Sequence, residues 1–172
     1  MKIGIGLPAA LPGSDGALVL EWARKAEAGP FSSLGIIDRI AYGNYESMVT
    51  LAAAAGATKR VRLMTTVLIA AVRNPTILAK EAATLDALSG GRLSLGLAVG
   101  GRQDDFAAAL ATFQDRGVRF EDEIATMRRV WSGKPLSDEI GPVGPMPVQK
   151  GGPELLLGGA HSVALRRAGR LA

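Results

Sequence analysis

Apolar residues fall into two alternating patterns along this chain. Short, nearly continuous apolar runs lie at residues 2–7, 34–38, 61–69, 93–99 and 154–157. Between them, apolar residues recur three and four positions apart, the spacing of one helix face. Pro8, Pro12 and Gly13 break the first run, Ser14 or Asp15 can cap the helix that follows, and Leu18, Trp22 and Ala26 share one side of it. Gly29 and Pro30 end it. A second helix spans about residues 46–57, with Met48, Leu51, Ala52 and Ala55 on its apolar side. The third has Asn74 at the cap and Pro75 at the first helical position, where a missing N–H costs nothing. Leu78, Ala82, Leu85 and Leu88 form its face, and Gly90 and Gly91 stop it. Residues 103–117 are less regular. A fourth helix follows with Phe120, Ile124, Met127 and Trp131 on one side. Residues 133–153 are rich in glycine and proline, and Ile140, Val143, Met146 and Val148 there suit a small hairpin or an excursion over the sheet. Ser162 can cap a fifth helix through Val163, Leu165, Ala168 and Leu171.

The strands recur at roughly thirty-residue intervals, as in successive βα units. Right-handed crossovers then give a parallel sheet covered by helices. The run at 61–69 suits a strand buried on both faces. Two α/β architectures fit: a (β/α)₈ barrel and an open doubly wound sheet. A full barrel takes about 250 residues, whereas this chain of 172 residues holds five units. Length alone therefore favours an open five-stranded sheet.

Composition narrows the field. Hydrophobic residues make up 48% and charged residues 21%, which predicts one soluble globular domain over residues 1–172. The chain has no cysteine, so disulfides, thiolate metal sites and a cysteine nucleophile are excluded. A cytoplasmic location fits this composition. The stretch before Pro8 is too short for a signal peptide, and the longest apolar run, 67–72, is far below a membrane span. The net charge is +4, the arginines are spread along the chain, and aromatics are only 5%, leaving no row of stacking platforms for nucleic acid.

The densest chemical signal is SGGRLSLGLAVGGRQDDF, residues 89–106. A helix stops on glycines, a strand follows, and the strand opens into Gly100, Gly101 and Arg102. Glycine lets a ligand approach the backbone, and arginine pairs with phosphate or carboxylate; plain turn glycines would look the same. Gly158, Gly159, Ala160, His161 and Ser162 lead from the last strand into a helix, whose N-terminus offers free N–H groups to a phosphate. His161, the only histidine, suits a phosphate contact better than acid–base work. Asp38 and Arg39 end the second strand, either to position a ligand or as a salt-bridged loop pair. Asp104 and Asp105 read as a solvated or capping pair, not metal ligands. Glu121, Asp122 and Glu123 read as acids in the first turn of the fourth helix. Gly4 and Gly6 lie within a strand and not after it, so no dinucleotide fingerprint forms, and no P-loop or G-x-S-x-G elbow is present.

Several segments, in order, resemble the luciferase-like monooxygenase family. They are the opening strand at 2–8, SLGIIDRIAYGNY at 33–45, ATKRVRLMTTVL at 57–68, NPTILAKEAATLDALSGGR at 74–92, LDALSGGRLSLGLAVGG at 85–101, RGVRFEDEIATMRRVW at 116–131 and PELLLGGAHSVALRR at 153–167. The resemblance implies a TIM-barrel-type (β/α) domain, incomplete at the C-terminus after about five units. It implies an oxidoreductase that uses FMN, or alternatively F420, on a small organic substrate. It implies cofactor contacts from Asp38, Thr66, Val67, Gly100, Gly101, Arg102, Gly158, Gly159, His161 and Ser162. Family members often carry a histidine where this chain has Asp38 and Arg39, so no catalytic residue is assigned. Many members have a non-prolyl cis peptide near the position of Thr66 and Val67; an ordinary trans strand is the alternative. The resemblance also implies a homodimer, through the second and third helices or by edge-to-edge joining, and a flavin reductase as partner. The rival readings are a non-catalytic flavin-binding or structural half-barrel, and an open-sheet nucleotide binder of flavodoxin type.

Overall fold

The computed structural model describes residues 1–171. Its elements are β1 (Gly4–Gly6), α1 (Gly16–Ala28), β2 (Ser33–Ile36), α2 (Ser47–Ala57), β3 (Arg62–Thr65), β4 (Leu68–Ile69), a 3₁₀ turn (Ala70–Val72), α3 (Pro75–Ser89), β5 (Leu93–Ala98), α4 (Gln103–Ala108), α5 (Arg116–Trp131), β6 (Glu154–Leu157) and α6 (Ser162–Leu171). All strand pairs are parallel, in the order β1-β2-β3-β5-β6. β4 lies on the same side of β5 as β3: Leu63 pairs with Leu93, and Leu68 with Leu97. β3 and β4 are thus two pieces of one strand position. Spatial order follows chain order without reversal, whereas a doubly wound sheet reverses at a switch point. The open-sheet alternative is therefore set aside in favour of barrel-type winding. The helices follow the same order, α1 against α2, α2 against α3 and α3 against α5.

Alternation along each strand sends one set of side chains to the helices. Leu34, Ile36, Leu63, Leu93, Leu95 and Leu97 are buried there against alanine-rich α2 and α3. Each such side chain contributes about 1.5–3 kcal/mol when fully buried. Register places Gly4, Ser33 and Arg62 in one row, and Gly6, Gly35, Met64, Ser94 and Glu154 in the next. The face without helices is therefore built mostly from small residues, Met64 and one polar cluster. In that cluster the Arg62 guanidinium reaches Ser94 and Glu154, and Ser94 donates to Glu154.

Three expectations change. The continuous strand expected at 61–69 is interrupted after Thr65, whose Oγ1 donates to the Gly96 carbonyl at 2.6 Å; the Thr66–Val67 peptide there is cis, as the family resemblance implies, and not the trans alternative. A Cβ on Gly96 would fall on the Thr65 carbonyl, so only glycine lets the two strands approach this closely. The helix faces shift in part. Met48, Leu51 and Ala55 of α2 and Leu78, Ala82 and Leu85 of α3 are buried as expected, but α1 buries Val19 and Ala23 with Ala26, α2 adds Ala54, and Leu18, Trp22, Ala52 and Leu88 lie outward. The added alanines let the helices sit close to their neighbours. Finally, α5 starts at Arg116, so Glu121, Asp122 and Glu123 follow its first turn.

The irregular segments are anchored by side chains. Phe106 and Phe113 meet edge to face with centroids 5.1 Å apart, under residues 103–117. Residues 133–153 form a small hairpin at Pro135 and Pro142. Buried Asp86 pins their far end by accepting from Val148 N, Gln149 N and Gln149 Nε2 at 2.7–2.9 Å. At the N-terminal end of the strands, Arg92 donates to Thr58, Val61, Ala55 and Ser89. Among the described residues no helix is long and apolar enough to cross a membrane.

Glu123 lies on the buried face of α5 with Phe120, Ile124 and Met127, and its Oε2 has no hydrogen-bond partner. Burial pushes its carboxyl up to about 7 from 4.5, against the pull of Arg119. The folded state therefore penalises the ionised form. The penalty is absent below the unfolded pKa, grows as pH rises between the two values, and is full above the folded one. Glu123→Gln is expected to stabilise the protein by up to about 3 kcal/mol near pH 8 and by little near pH 4. Urea unfolding at both pH values checks this; an equal effect at both would contradict it.

Candidate functional site

The C-terminal ends of the strands converge on one rim. β5 runs out at Ala98, and Gly100 turns the chain with φ +87°. A Cβ on Gly100 would press Ile69 Cγ2 at 2.6 Å and Phe106 Cε2 at 3.0 Å, so packing as well as conformation requires glycine there. β6 runs out at Leu157, and Gly158 N donates to the Leu97 carbonyl at 2.8 Å. A Cβ on Gly158 would lie 3.3 Å from Val67 Cγ2. Between these two chain ends opens a cleft of about 550 Å³.

Five of the ten expected residues line this cleft together: Gly100, Gly101, Gly158, Gly159 and His161. Val67 borders it through Gly158. Thr66 packs against Gly35 and donates to the Ile36 carbonyl at 3.1 Å. Ser162 is the first residue of α6 and stands outside the lining. The carbonyl of His161, not the Ser162 hydroxyl, meets the helix, accepting from Leu165 N at 3.0 Å. Arg102 is exposed beside the cleft and pairs with Asp104 at 3.1 Å.

Asp38 has internal work. It is only 6% exposed. Its carboxylate accepts from Ser47 Oγ at 2.8 Å, Ile69 N at 2.9 Å and Arg73 Nη2 at 2.8 Å. Arg39 is not its partner but pairs with Asp105 at 2.7 Å and Asp104 at 3.1 Å. Asp105 is buried rather than solvated, and also accepts from Ile40 N and Ala41 N. Burial alone would raise its carboxyl; the Ala41 N–H, Arg39 and the Ile40 N–H outweigh that and hold it below the usual carboxylate range. This bracket fixes the loop after β2 against α4.

Sequence reading missed the cleft's two arginines, Arg116 and Arg167. Arg116 Nε donates to the Gly100 carbonyl at 3.1 Å, and Nη1 to the Phe113 carbonyl at 2.8 Å. Its guanidinium stacks 3.6 Å over the Phe113 ring. Arg167 pairs with Glu121 at 3.0 Å. The available signal was FQDRG at 113–117, an aromatic and an arginine one helical turn apart, but no periodicity frames it. Glycine backbone and fixed cations together suit binding and orienting an anionic group.

A second concavity, about 380 Å³, lies on the outer side between α2 and α3. Its walls include Val49, Ala52, Ile77, Leu85 and Leu88. Val49, Ile77 and Leu88 are 58–72% exposed, a concentration of apolar surface uncommon on a monomer.

Comparison with known proteins agrees with this geometry. An uncharacterized protein of Mycobacterium tuberculosis is 32% identical over 91% of this chain and 64% of its own length. An F420-dependent glucose-6-phosphate dehydrogenase of Intrasporangium calvum is 34% identical over 54% of this chain and 30% of its own. The crystal structure of monooxygenase RslO1 from Streptomyces bottropensis superposes with a TM-score of 0.76 at 27% identity, over 91% of this chain and 53% of that one. The chain thus spans about half to two thirds of the length of the two matches that cover 91% of it, and less than a third of the dehydrogenase. The model of the luciferase-like monooxygenase family matches residues 1–172. With its singly wound parallel sheet and glycine-walled rim, this chain belongs to the luciferase-like monooxygenase family.

Proposed function

We propose that this chain carries the cofactor-binding part of an oxidoreductase, holding FMN, or alternatively F420, at the β5–β6 cleft and acting on a small organic substrate. The observation that carries this reading is the cleft itself. Its walls are glycine backbone at 100–101 and 158–159, and a guanidinium, Arg116, is fixed beside them. A phosphate-bearing cofactor fits that donor set. The cofactor supplies the redox chemistry, passing electrons to oxygen with FMN or hydride with F420. The protein's part is to bind, orient and exclude water. Gly158 and Gly159, with His161 beside them, would hold the cofactor's phosphate, and Val67 and Gly100 would contribute to its binding at the same rim. Support for F420 comes from the dehydrogenase relative, and support for oxygen chemistry from the monooxygenase structure.

The second reading is a non-catalytic flavin-binding or structural half-barrel, since a cleft that holds a ligand does not by itself require turnover.

Absorbance after desalting separates the readings. The protein mixed with FMN or F420 is expected to retain one of them with a stoichiometry near one. With FMN retained, reductase-coupled NADH oxidation above the reductase alone marks the enzyme; with F420 retained, substrate-dependent change of the F420 absorbance marks it, and retention without turnover marks a flavin-binding half-barrel. A folded protein that retains neither cofactor refutes the oxidoreductase reading and leaves the structural half-barrel.

The groove between α2 and α3 fits a second copy of this chain, its apolar wall continuing across the contact. Sedimentation equilibrium is expected to show a dimer that Leu88→Glu with Ile77→Glu converts to monomer. A monomeric unmutated protein would exclude this contact.

A further inference from the structure

We infer that Glu121 is a positioning residue for the β5–β6 cleft: through Arg167 and Arg170 it holds the first turns of α6 in place as one of the cleft's walls. The inference rests on the reading of that cleft as the ligand site. Gly158 and Gly159 join β6 to α6, and beyond them His161, Val163, Ala164 and Arg167 line the cleft together with Gly117 of α5. The cleft keeps this shape only while α6 stays against α5. Yet α6 buries none of its side chains, and Val163 and Leu165 are exposed. Leu171 packs against the core from the last turn, and the first turns have no such anchor. The apolar burial that fixes α2 and α3 is missing here.

Charge supplies the attachment instead. Arg167 and Arg170 are three residues apart and so project from one side of α6. Glu121 of α5 meets both: Oε1 pairs with Arg167 Nε at 3.0 Å, and Oε2 with Arg170 Nη2. The Arg167 side chain is only 11% exposed. Its guanidinium lies 5.9 Å from the Phe120 ring centroid, and a Cβ on Gly117 would come within 3.0 Å of its Nη2. Gly117 therefore makes room on α5 for this arginine. At the far end of α6, Arg128 donates to the Leu171 carbonyl. Among the described residues, Glu121 is the one carboxylate paired with Arg167 or Arg170. An isolated exposed pair contributes little, but one carboxylate shared by two cations of the same helix forms a network. Without Glu121 the covered Arg167 would lose its counter-charge, and a position of α6 that returns it to water becomes favoured. Salt screens such pairs and does not weaken apolar packing.

Amide exchange across residues 163–170, measured without ligand, tests the attachment. In the unmutated protein these amides are expected to exchange at least about fivefold faster when sodium chloride rises from about 0.05 to about 1 M, with α3 and β5 unaffected. Glu121→Gln should show the fast rate already at low salt and lose most of the salt dependence. Arg170→Gln should fall between, and Arg170→Lys, which keeps the charge, should stay near the unmutated protein. Amides of α6 indifferent to both salt and Glu121→Gln would overturn the inference. Titration with FMN, or with F420 where FMN is not retained, tests the positioning. Glu121→Gln is expected to weaken the affinity at least about threefold, because only molecules with α6 in place bind. Saturating cofactor should restore the protection of α6 in that variant. Unchanged affinity with α6 loosened would overturn the positioning role and leave Glu121 as a structural clasp. If neither cofactor binds, the cofactor reading fails separately, and the exchange rates still decide whether Glu121 sets this wall.

Discussion

The carboxylate of Asp38 holds the rim of this sheet together. It sits at the end of β2 and accepts from α2 through Ser47, from β4 through the Ile69 amide, and from the segment before α3 through Arg73. A buried charge persists only where partners compensate it, so these contacts are mutually dependent. They place β4 alongside the end of β5. That in turn sets Ile69 under Gly100 and Val67 beside Gly158, which together shape the approach to the cleft. Arg39 and Asp105 form a second bracket of the same kind, tying the loop after β2 to α4.

The remaining stability lies in the middle and at the opposite end. Leucines on β2, β3 and β5 face alanine-rich helices, and the close approach of those helices depends on the small residues. Arg92 and Glu27 close the N-terminal end of the strands by meeting the carbonyls and amides that α1, α2 and the following turns leave free. The polar brackets therefore sit at the two ends of an apolar layer. The helix-free face keeps glycines, Ser33 and Met64, with Arg62, Ser94 and Glu154 as a polar cluster across two rows. In closed parallel barrels such faces line the interior.

Much of the fold was legible because periodicity reports burial. The strand at 154–157 and the helix face of Phe120, Ile124, Met127 and Trp131 follow directly from spacing. The break in the strand at 61–69 was not legible from spacing, because it involves Gly96 admitting the Thr65 carbonyl from thirty residues away; only the family resemblance pointed to a cis peptide at Thr66 and Val67. The role of Asp38 was hidden for the same reason. Its neighbour in sequence, Arg39, offered a local partner, while its actual partner, Arg73, arrives only when β4 folds against β5. Glycine pairs pointed to the cleft, since a strand ending in glycines is a local signal. Arg116 gave none, because its placement comes from the Gly100 and Phe113 carbonyls that hold it.

Amide exchange combined with chemical unfolding of Asp38→Ala tests this account most directly. Without the carboxylate, Arg73 loses its buried partner and the Ile69 amide loses its acceptor. The account predicts a loss of about 3 kcal/mol in unfolding free energy, with faster exchange concentrated at Ile69 and the residues around it. Unchanged stability with Ile69 still protected would contradict it.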